Sequence, residues 1–303
     1  MTLIPKQEEI SYKDLEIERQ KIGIKRDFIQ IKDTITFELK RNFQKLLVML
    51  FVYLGIFLLY FLLNTFQLEL MGEATPTEST SFMSNYVAEF FTLALIISVA
   101  TFGGSIIAED FYRQTGNLLF PKISKTRLLI GRLIARYILN TLCILFFYSL
   151  VCLITFIKFG EVSYKIFYSI SWALLYSFVV LSFITFLSSF MKNTSFTIIT
   201  SILILLIVFA MIPVILSLAG VLKNNEIPMF FIFSYFGNII SASLAMPTER
   251  FITELQGPPG YGFEISYWIT PSELGAAIGM IIYFTIFLVL TYIIYSRRQC
   301  KGE

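Results

Sequence analysis

Six apolar runs separated by polar segments are the feature that most constrains this chain of 303 residues. A helix of about 20 residues spans roughly 30 Å, the thickness of the hydrocarbon core of a bilayer. Only 15% of the residues are charged, whereas a soluble domain has about a quarter. The sequence therefore predicts an all-α polytopic membrane protein with about six transmembrane helices, located in the cell (plasma) membrane.

The bounds of the runs divide the chain. An N-terminal segment, 1–45, precedes a transmembrane domain, 46–296, and a short tail, 297–303, follows. Lys and Arg are concentrated before the first run, between the second and third runs, and after the last. Because basic loops stay in the cytoplasm, both termini are expected there. The predicted spans cover residues 46–66, 86–107, 128–157, 166–190, 195–218 and 273–295.

A stripe of apolar residues at helical spacing lies in the N-terminal segment. Ile24, Phe28, Ile31 and Ile35 would share one face of a helix, with charged residues beside it. This pattern predicts an amphipathic helix that lies in the membrane interface and contacts membrane lipid. A simple membrane anchor and a helix that also contacts a partner protein both remain open.

The segment between the second and third runs is strongly charged and has its own helix signals. Glu109 precedes Arg113 by four residues, which is the favourable order for a helical ion pair. Gly116 suits a helix C-terminus, and Pro121 prevents its continuation. Ser124 is placed to cap the next helix. We therefore expect a short helix, a turn and a capped return into the membrane.

This segment resembles a known family. From Glu109 to Arg132 it has the pattern E-D-x-x-x-x-T-G-x-L-L-x-P-x-I-S-K-x-R-L-L-I-G-R. That pattern is similar to the loop between spans two and three of type-2 ATP-binding-cassette (ABC) permeases. It departs from the family in the extra Lys122 and in the order of Thr115 and Gly116. The resemblance implies a coupling loop, 108–127, whose implied coupling residues are Glu109, Asp110, Arg113, Thr115, Gly116, Leu119, Pro121, Ser124 and Lys125.

The same resemblance implies the partners. A separate ABC ATPase subunit would bind ATP and Mg, and a second permease copy or a homologue would complete the transport path. Export is the usual direction in that family. The chain contains no G-x-x-x-x-G-K-[ST] motif, so it is not expected to hydrolyse ATP by that route. No cofactor bound by this chain and no nucleic-acid partner are expected.

Catalytic and metal sites are not expected either. The chain has no His, which is the commonest general base and metal ligand. Its three Cys do not form a metal-ligand spacing. An ATP-independent channel or carrier, and a membrane scaffold that recruits a soluble partner, remain alternatives to the ABC permease.

Several polar residues fall inside the predicted spans. Arg132 and Arg136 share a face at the start of span three, and we expect them to snorkel towards the interface. Others either line a substrate path or form hydrogen bonds between helices. The candidate substrate-path residues are Asn140, Thr141, Ser182 and Thr200.

The long loop 219–272 poses a topological question. Its stretch 227–246 carries no formal charge and is long enough to cross the membrane. If it crossed, Arg297, Arg298 and Lys301 would lie outside the cell, against the positive-inside rule. We therefore expect a re-entrant or interfacial helical hairpin on the outer face, before the last span. This hairpin would cap the exit of a substrate path.

Overall fold

A computed structural model describes residues 12–71, 78–112, 124–219, 228–256 and 263–298 of the chain. Within these residues, six helical segments are long and apolar enough to cross a membrane. This confirms the prediction of an all-α polytopic membrane protein. The six segments are Phe43–Asn64, Thr92–Phe111, Lys125–Phe159, Lys165–Phe190, Thr194–Ser217 and Glu273–Arg297.

Two short π-helical turns, a 3-10 turn and a two-stranded sheet accompany the α-helices. The N-terminal elements are α1 (Tyr12–Arg41), α2 (Phe43–Met71), α3 (Ser79–Tyr86), a π turn (Val87–Phe91), α4 (Thr92–Gly103) and α5 (Ala108–Tyr112). The central elements are α6 (Lys125–Phe159), α7 (Lys165–Phe190), α8 (Thr194–Leu203), a π turn (Ile204–Val208) and α9 (Phe209–Leu218). The last elements are a 3-10 turn (Phe233–Asn238), α10 (Ile239–Ala242), β1 (Phe251–Gln256), β2 (Phe263–Trp268) and α11 (Glu273–Arg297).

Two contacts show which ends of the spans lie together. Arg127, near the start of α6, forms a 2.7 Å ion pair with Asp27 of α1. Lys125 Nζ donates a 2.7 Å hydrogen bond to the carbonyl of Arg298, at the end of α11. The segments before the first span and after the last therefore share one end of the bundle, which we call the Asp110 end. The opposite end, where β1 and β2 lie, is called the hairpin end.

The predicted N-terminal helix is present as α1, and it packs along α6. Thr34 is buried against Gly131, where an added Cβ would lie 2.8 Å from Thr34 Cγ2 and 3.3 Å from the carbonyl of Ile31. Only glycine permits this separation of the two helices. The contact uses a partly polar face of α1, since Asp27, Thr34 and Glu38 all meet α6 side chains or backbone.

Span two is interrupted close to the Asp110 end. The helix α4 ends at Gly103, and a turn leads into α5. Ser188 of α7 satisfies the backbone of this turn: its Oγ accepts from the amides of Ile107 (3.1 Å) and Ala108 (2.9 Å) and donates to the carbonyl of Gly104 (3.1 Å). A buried break in a helix is stable only when such groups find partners, so Ser188 fixes the position of α5.

The described residues between span five and the last span, 228–256 and 263–272, are called the outer segment because the sequence predicts that they lie on the outer face. The outer segment contains strands besides the helical part that the sequence predicted. Its first half forms the short 3-10 turn and α10, too short to cross a bilayer. Its second half is a β-hairpin of the antiparallel strands β1 and β2. Phe251 lies opposite Trp268 at one end of the ladder, and Gln256 lies opposite Phe263 at the other. Both strands are rich in aromatic and β-branched residues, which favour a half-buried sheet surface over a helix. The helical hairpin was predicted from the stretch 227–246, and no strands were predicted from the sequence for 251–268.

Two glycines join the outer segment to the last span. An added Cβ at Gly275 would lie 2.8 Å from the ring of Phe230, and one at Gly279 would lie 2.3 Å from the ring of Phe236. Aromatic rings of the outer segment therefore pack against the two glycines of the G-x-x-x-G pattern at the start of α11. The outer segment lies directly on this last span.

The first prediction concerns topology. Because α1 and the end of α11 share the Asp110 end, and that end is basic, we expect it to face the cytoplasm. In a variant with Cys143 and Cys152 replaced, an impermeant thiol reagent should modify Cys300 only after the cells are permeabilised. Glu161→Cys, in the exposed connection between α6 and α7 at the hairpin end, should react in sealed cells. Rapid modification of Cys300 in sealed cells would contradict this orientation.

The second prediction concerns the packing of α1 against α6. Gly131→Ala should push α1 away from α6, because the new methyl group overlaps Thr34, and overpacking of this kind costs about 1–3 kcal/mol. Limited proteolysis should cleave α1 faster, and the unfolding midpoint should fall. Gly55→Ala is the control: no atom lies within 4 Å of its Cβ position, so removal of a helical glycine should stabilise by up to about 1 kcal/mol. Equal proteolysis of the two variants would argue against the tight contact.

Candidate functional site

A buried ion pair joins the two ends of the segment that resembles the coupling loop. Arg132 of α6 donates to both oxygens of Asp110 of α5, through Nη1 (2.7 Å) and Nη2 (2.9 Å). Arg132 Nη1 also donates to the carbonyl of Ile106 (2.8 Å). The hydroxyl of Tyr295, on α11, donates to Asp110 Oδ2 (3.1 Å). Bidentate pairing fixes both orientation and distance, so α5, α6 and α11 are held together at this point.

Glu38 brings α1 into the same network. Its carboxylate lies 3.3 Å from Nε of Arg132 and 2.9 Å from Nη2 of Arg136. Arg41 at the end of α1 (2.9 Å) and the side-chain amide of Asn42, between α1 and α2 (3.2 Å), donate to Glu38 Oε2. One carboxylate therefore faces three guanidinium groups, two of them on α6.

These charges are removed from solvent. Among the side chains, Asp110 and Arg136 are 0% exposed, Glu38 is 2% exposed and Arg132 is 4% exposed. The two carboxylates balance the two α6 guanidiniums, as buried charges require. The expectation that Arg132 and Arg136 snorkel to the interface is wrong, because α1 and α5 supply carboxylates inside the protein. Arg136 relies on Glu38 alone: among the described residues, its Nε and Nη1 have no hydrogen-bond partner.

A second set of contacts surrounds the buried charges. Glu109 Oε2 accepts a 2.9 Å hydrogen bond from Arg41 of α1. Lys125 Nζ approaches the carbonyls of Tyr295 and Arg298 at 3.4 and 2.7 Å. Arg298 in turn donates to the carbonyl of Ser189 (2.6 Å) and lies 3.7 Å over the ring of Phe111. Residues on both sides of the segment 113–123 are thus bonded to α1 and to the end of α11.

The structure places some of the predicted coupling residues and leaves others undescribed. Ser124 caps α6, and its Oγ accepts from the amide of Arg127 at 3.4 Å, as predicted. Glu109 pairs with Arg41 of α1. Asp110 is wholly buried, so it acts within the network and offers no exposed surface. The remaining predicted residues, Arg113, Thr115, Gly116, Leu119 and Pro121, lie outside the described residues.

The stripe predicted for membrane contact only partly faces outward. Phe28 is 76% exposed, whereas Ile31 and Ile35 are half-buried. The side chain of Ile24 is not among those described. Glu38 was not among the predicted site residues, although it falls one heptad after Ile31 and therefore on the same face. A carboxylate in that position, with Arg132 and Arg136 one turn apart on another helix, was the available signal.

The candidate substrate-path residues are not brought together. Asn140 Oδ1 accepts from Ser98 Oγ (2.6 Å), which is 2.9 Å from the hydroxyl of Tyr53. Asn140 therefore links α6, α4 and α2, the interhelical role that the sequence left open. Ser182 bonds within its own helix, to Val179. Thr141 and Thr200 are half-buried on α6 and α8, and in the described structure no hydrogen bond joins any two of the four.

The charged groups of this site form structural ion pairs. Its buried polar groups are carboxylates and guanidiniums that neutralise one another. These bonds hold α1, α5, α6 and α11 together, and breaking a buried ion pair is costly.

The third prediction tests the cost of breaking the network. Asp110→Ala leaves Arg132 buried with reduced compensation, and removing one partner of a buried pair typically costs about 3–5 kcal/mol. Unfolding of the purified protein in detergent should show a correspondingly lower midpoint. The double variant Asp110→Leu/Arg132→Met removes both charges and should recover much of the loss.

The matched control is Asp33→Ala, an exposed acid on α1, which should change stability by no more than about 0.5 kcal/mol. If Asp110→Ala and Asp33→Ala unfolded alike, the buried pair would not stabilise the fold.

Comparisons with known proteins add no further assignment to this geometry. No model of a known protein family matches the sequence, and no curated protein is significantly similar to it. The site is therefore characterised by the residue pattern from Glu109 to Arg132 and by the contacts described above.

Proposed function

We propose that this chain is the membrane-spanning permease subunit of an ABC transporter and is driven by a separate ATPase subunit. One observation carries the proposal: the segment that resembles an ABC coupling loop is closed at its base by the buried Asp110–Arg132 pair. A loop that only connected two spans would not need a buried ion pair. A loop that transmits force would, because its base must not open when the loop is pushed.

The surrounding contacts support a route for that force. From the start of the segment, Glu109 contacts Arg41 of α1. At its return, Arg127 contacts Gln30 and Lys125 contacts the end of α11. Closure of two ATPase subunits on ATP would press on segment 113–123 and on α1. The network would then move α1, α6 and α11 as one unit, tilting the spans between inward-open and outward-open arrangements.

A transport path would form between two copies of the chain, or between this chain and a homologue. Export is proposed from the resemblance. All the described spanning helices except the second present apolar side chains on the outside of the bundle. Examples that are more than half exposed are Phe51, Ile157, Phe196 and Ile278. Such side chains suit contact with lipid or with the second copy.

The fourth prediction tests coupling through the Glu109–Arg41 pair. In a reconstituted complex with its ATPase, Glu109→Lys should lower transport-coupled ATP hydrolysis several-fold, because it sets two cations against each other where α5 meets α1. The loss of stability should be small, since a partly exposed pair contributes under about 1 kcal/mol. Arg41→Glu in the same chain should recover part of the activity. Glu78→Lys, an exposed acid outside the network, is the control.

Undiminished hydrolysis and transport in Glu109→Lys would remove the pair from the coupling route.

A direct experiment tests whether the protein is an ABC permease subunit, a channel or carrier, or a scaffold. The tagged chain is purified from its own cells in mild detergent and placed in vesicles. A partner chain that carries the phosphate-binding motif, with ATP hydrolysis that depends on both chains, would support the permease. Solute flux without ATP and without such a partner would instead favour a channel or carrier. A stable soluble partner without ATP hydrolysis would favour a scaffold.

A further inference from the structure

A cavity of about 470 Å³ lies towards the hairpin end, away from the charged network. Its walls come from spans two, four and five and from the outer segment. The volume is within the usual range for a small-molecule site, about 300–1,000 Å³. Most of the wall is apolar, with Ile96, Leu205, Phe209 and Met229 among its side chains.

Three buried polar groups on this wall have no partner. They are the hydroxyls of Tyr176 and Tyr235 and the indole Nε1 of Trp268, none of which makes a hydrogen bond within the described structure. Tyr176 is 0% exposed and Tyr235 is 5% exposed. The three groups come from different elements, namely α7, the 3-10 turn and β2. Buried polar atoms are nearly always bonded, so three unpaired groups around one cavity need a common explanation.

The cavity is neutral and rich in donors. No charged side chain lines it within the described residues. Burial raises the pKa of Tyr235, against a smaller opposing effect of Arg250, so that hydroxyl keeps its proton. The indole Nε1 can only donate. The cavity therefore suits a ligand without charge that presents acceptor oxygens.

Two irregular helical turns border the cavity. The π turn Ile204–Val208 contributes Leu205 and Leu206 to the wall. The π turn Val87–Phe91 ends directly before Thr92, which also lines the cavity. Single π-helical turns are rare and are frequent at functional sites.

The cavity opens on the side of span five. Val214 belongs to the wall and is 51% exposed, and Ala210, one turn away, is also exposed. These two residues lie in the apolar part of the span. A ligand can therefore enter from the lipid side without crossing a charged surface.

We propose that this cavity binds a neutral amphipathic molecule, with an apolar body in the cavity and carbonyl, ester or hydroxyl oxygens bonded to Tyr176, Tyr235 and Trp268. A monoacylglycerol-like molecule has this chemistry. The site does not depend on the proposed transport function, since it is formed by one chain and its occupancy is measured without an ATPase.

The test uses the cavity's own tryptophan. The chain has two tryptophans, and Trp172→Phe leaves Trp268 as the single fluorophore. The protein is placed in nanodiscs of unbrominated lipid and titrated with a dibrominated monoacylglycerol, whose bromine atoms quench nearby indole. We expect saturable quenching. The dibrominated fatty-acid anion, which carries a charge, should quench weakly and without saturation. Brominated phosphatidylcholine measures the exposure of Trp268 to bulk lipid.

Removal of the two hydroxyls should weaken binding without harming the empty protein. Tyr176→Phe/Tyr235→Phe should raise the Kd at least about tenfold, as expected for two lost hydrogen bonds. The same variant should unfold at an equal or higher temperature when empty, because it deletes unpaired buried hydroxyls. Tyr292→Phe, an exposed tyrosine that does not line the cavity, should bind as the parent does.

Two results would overturn the site. One is quenching by the monoacylglycerol that does not saturate or that equals the quenching by phosphatidylcholine. The other is an unchanged Kd in the double variant, which would mean that the hydroxyls of Tyr176 and Tyr235 do not contact the ligand.

Discussion

A charge that leaves water must meet an opposite charge inside the protein, and this requirement organises the Asp110 end of the molecule. Arg132 and Arg136 project from a spanning helix into the interior, where the cost of an uncompensated charge is several kcal/mol. Glu38 and Asp110 meet them from two other helices, and Tyr295 closes the cluster from the last span. Four charged side chains therefore fix the relative positions of α1, α5 and α6, and the hydroxyl of Tyr295 adds α11 to them.

Small side chains permit the close approach that this pairing needs. Gly131 lets α1 lie directly on α6. Gly103 and Gly104 bring the end of α4 against Ile184 and Ile198, where Ser188 bonds the backbone of the broken turn. Without that break, α5 would continue the line of α4. The charged cluster thus depends on residues that carry no charge.

The sequence predicted those parts of the fold that the bilayer dictates, and it missed those that tertiary contacts decide. Hydropathy located the six spans because a crossing helix must be apolar over its whole length. The Ser124 cap was predictable because it is local. The inward orientation of Arg136 was not predictable, since its partner Glu38 is far away in sequence. The strands β1 and β2 were missed because short strands in a loop rich in Pro and Gly give little periodicity. The cavity depends on side chains from distant segments, which no local pattern joins.

The chain order of the charged partners has a consequence for biogenesis. Ribosomes deliver residues from the N-terminus, so Glu38 and Asp110 are made before the arginines that they neutralise. Asp110 precedes Arg132 by only 22 residues, so both carboxylates are available when α6 enters the membrane. Tyr295, which is separated from Asp110 by 185 residues, arrives last. The arginine-bearing span can therefore be inserted as part of a neutral group, and the last helix closes a cluster that is already assembled.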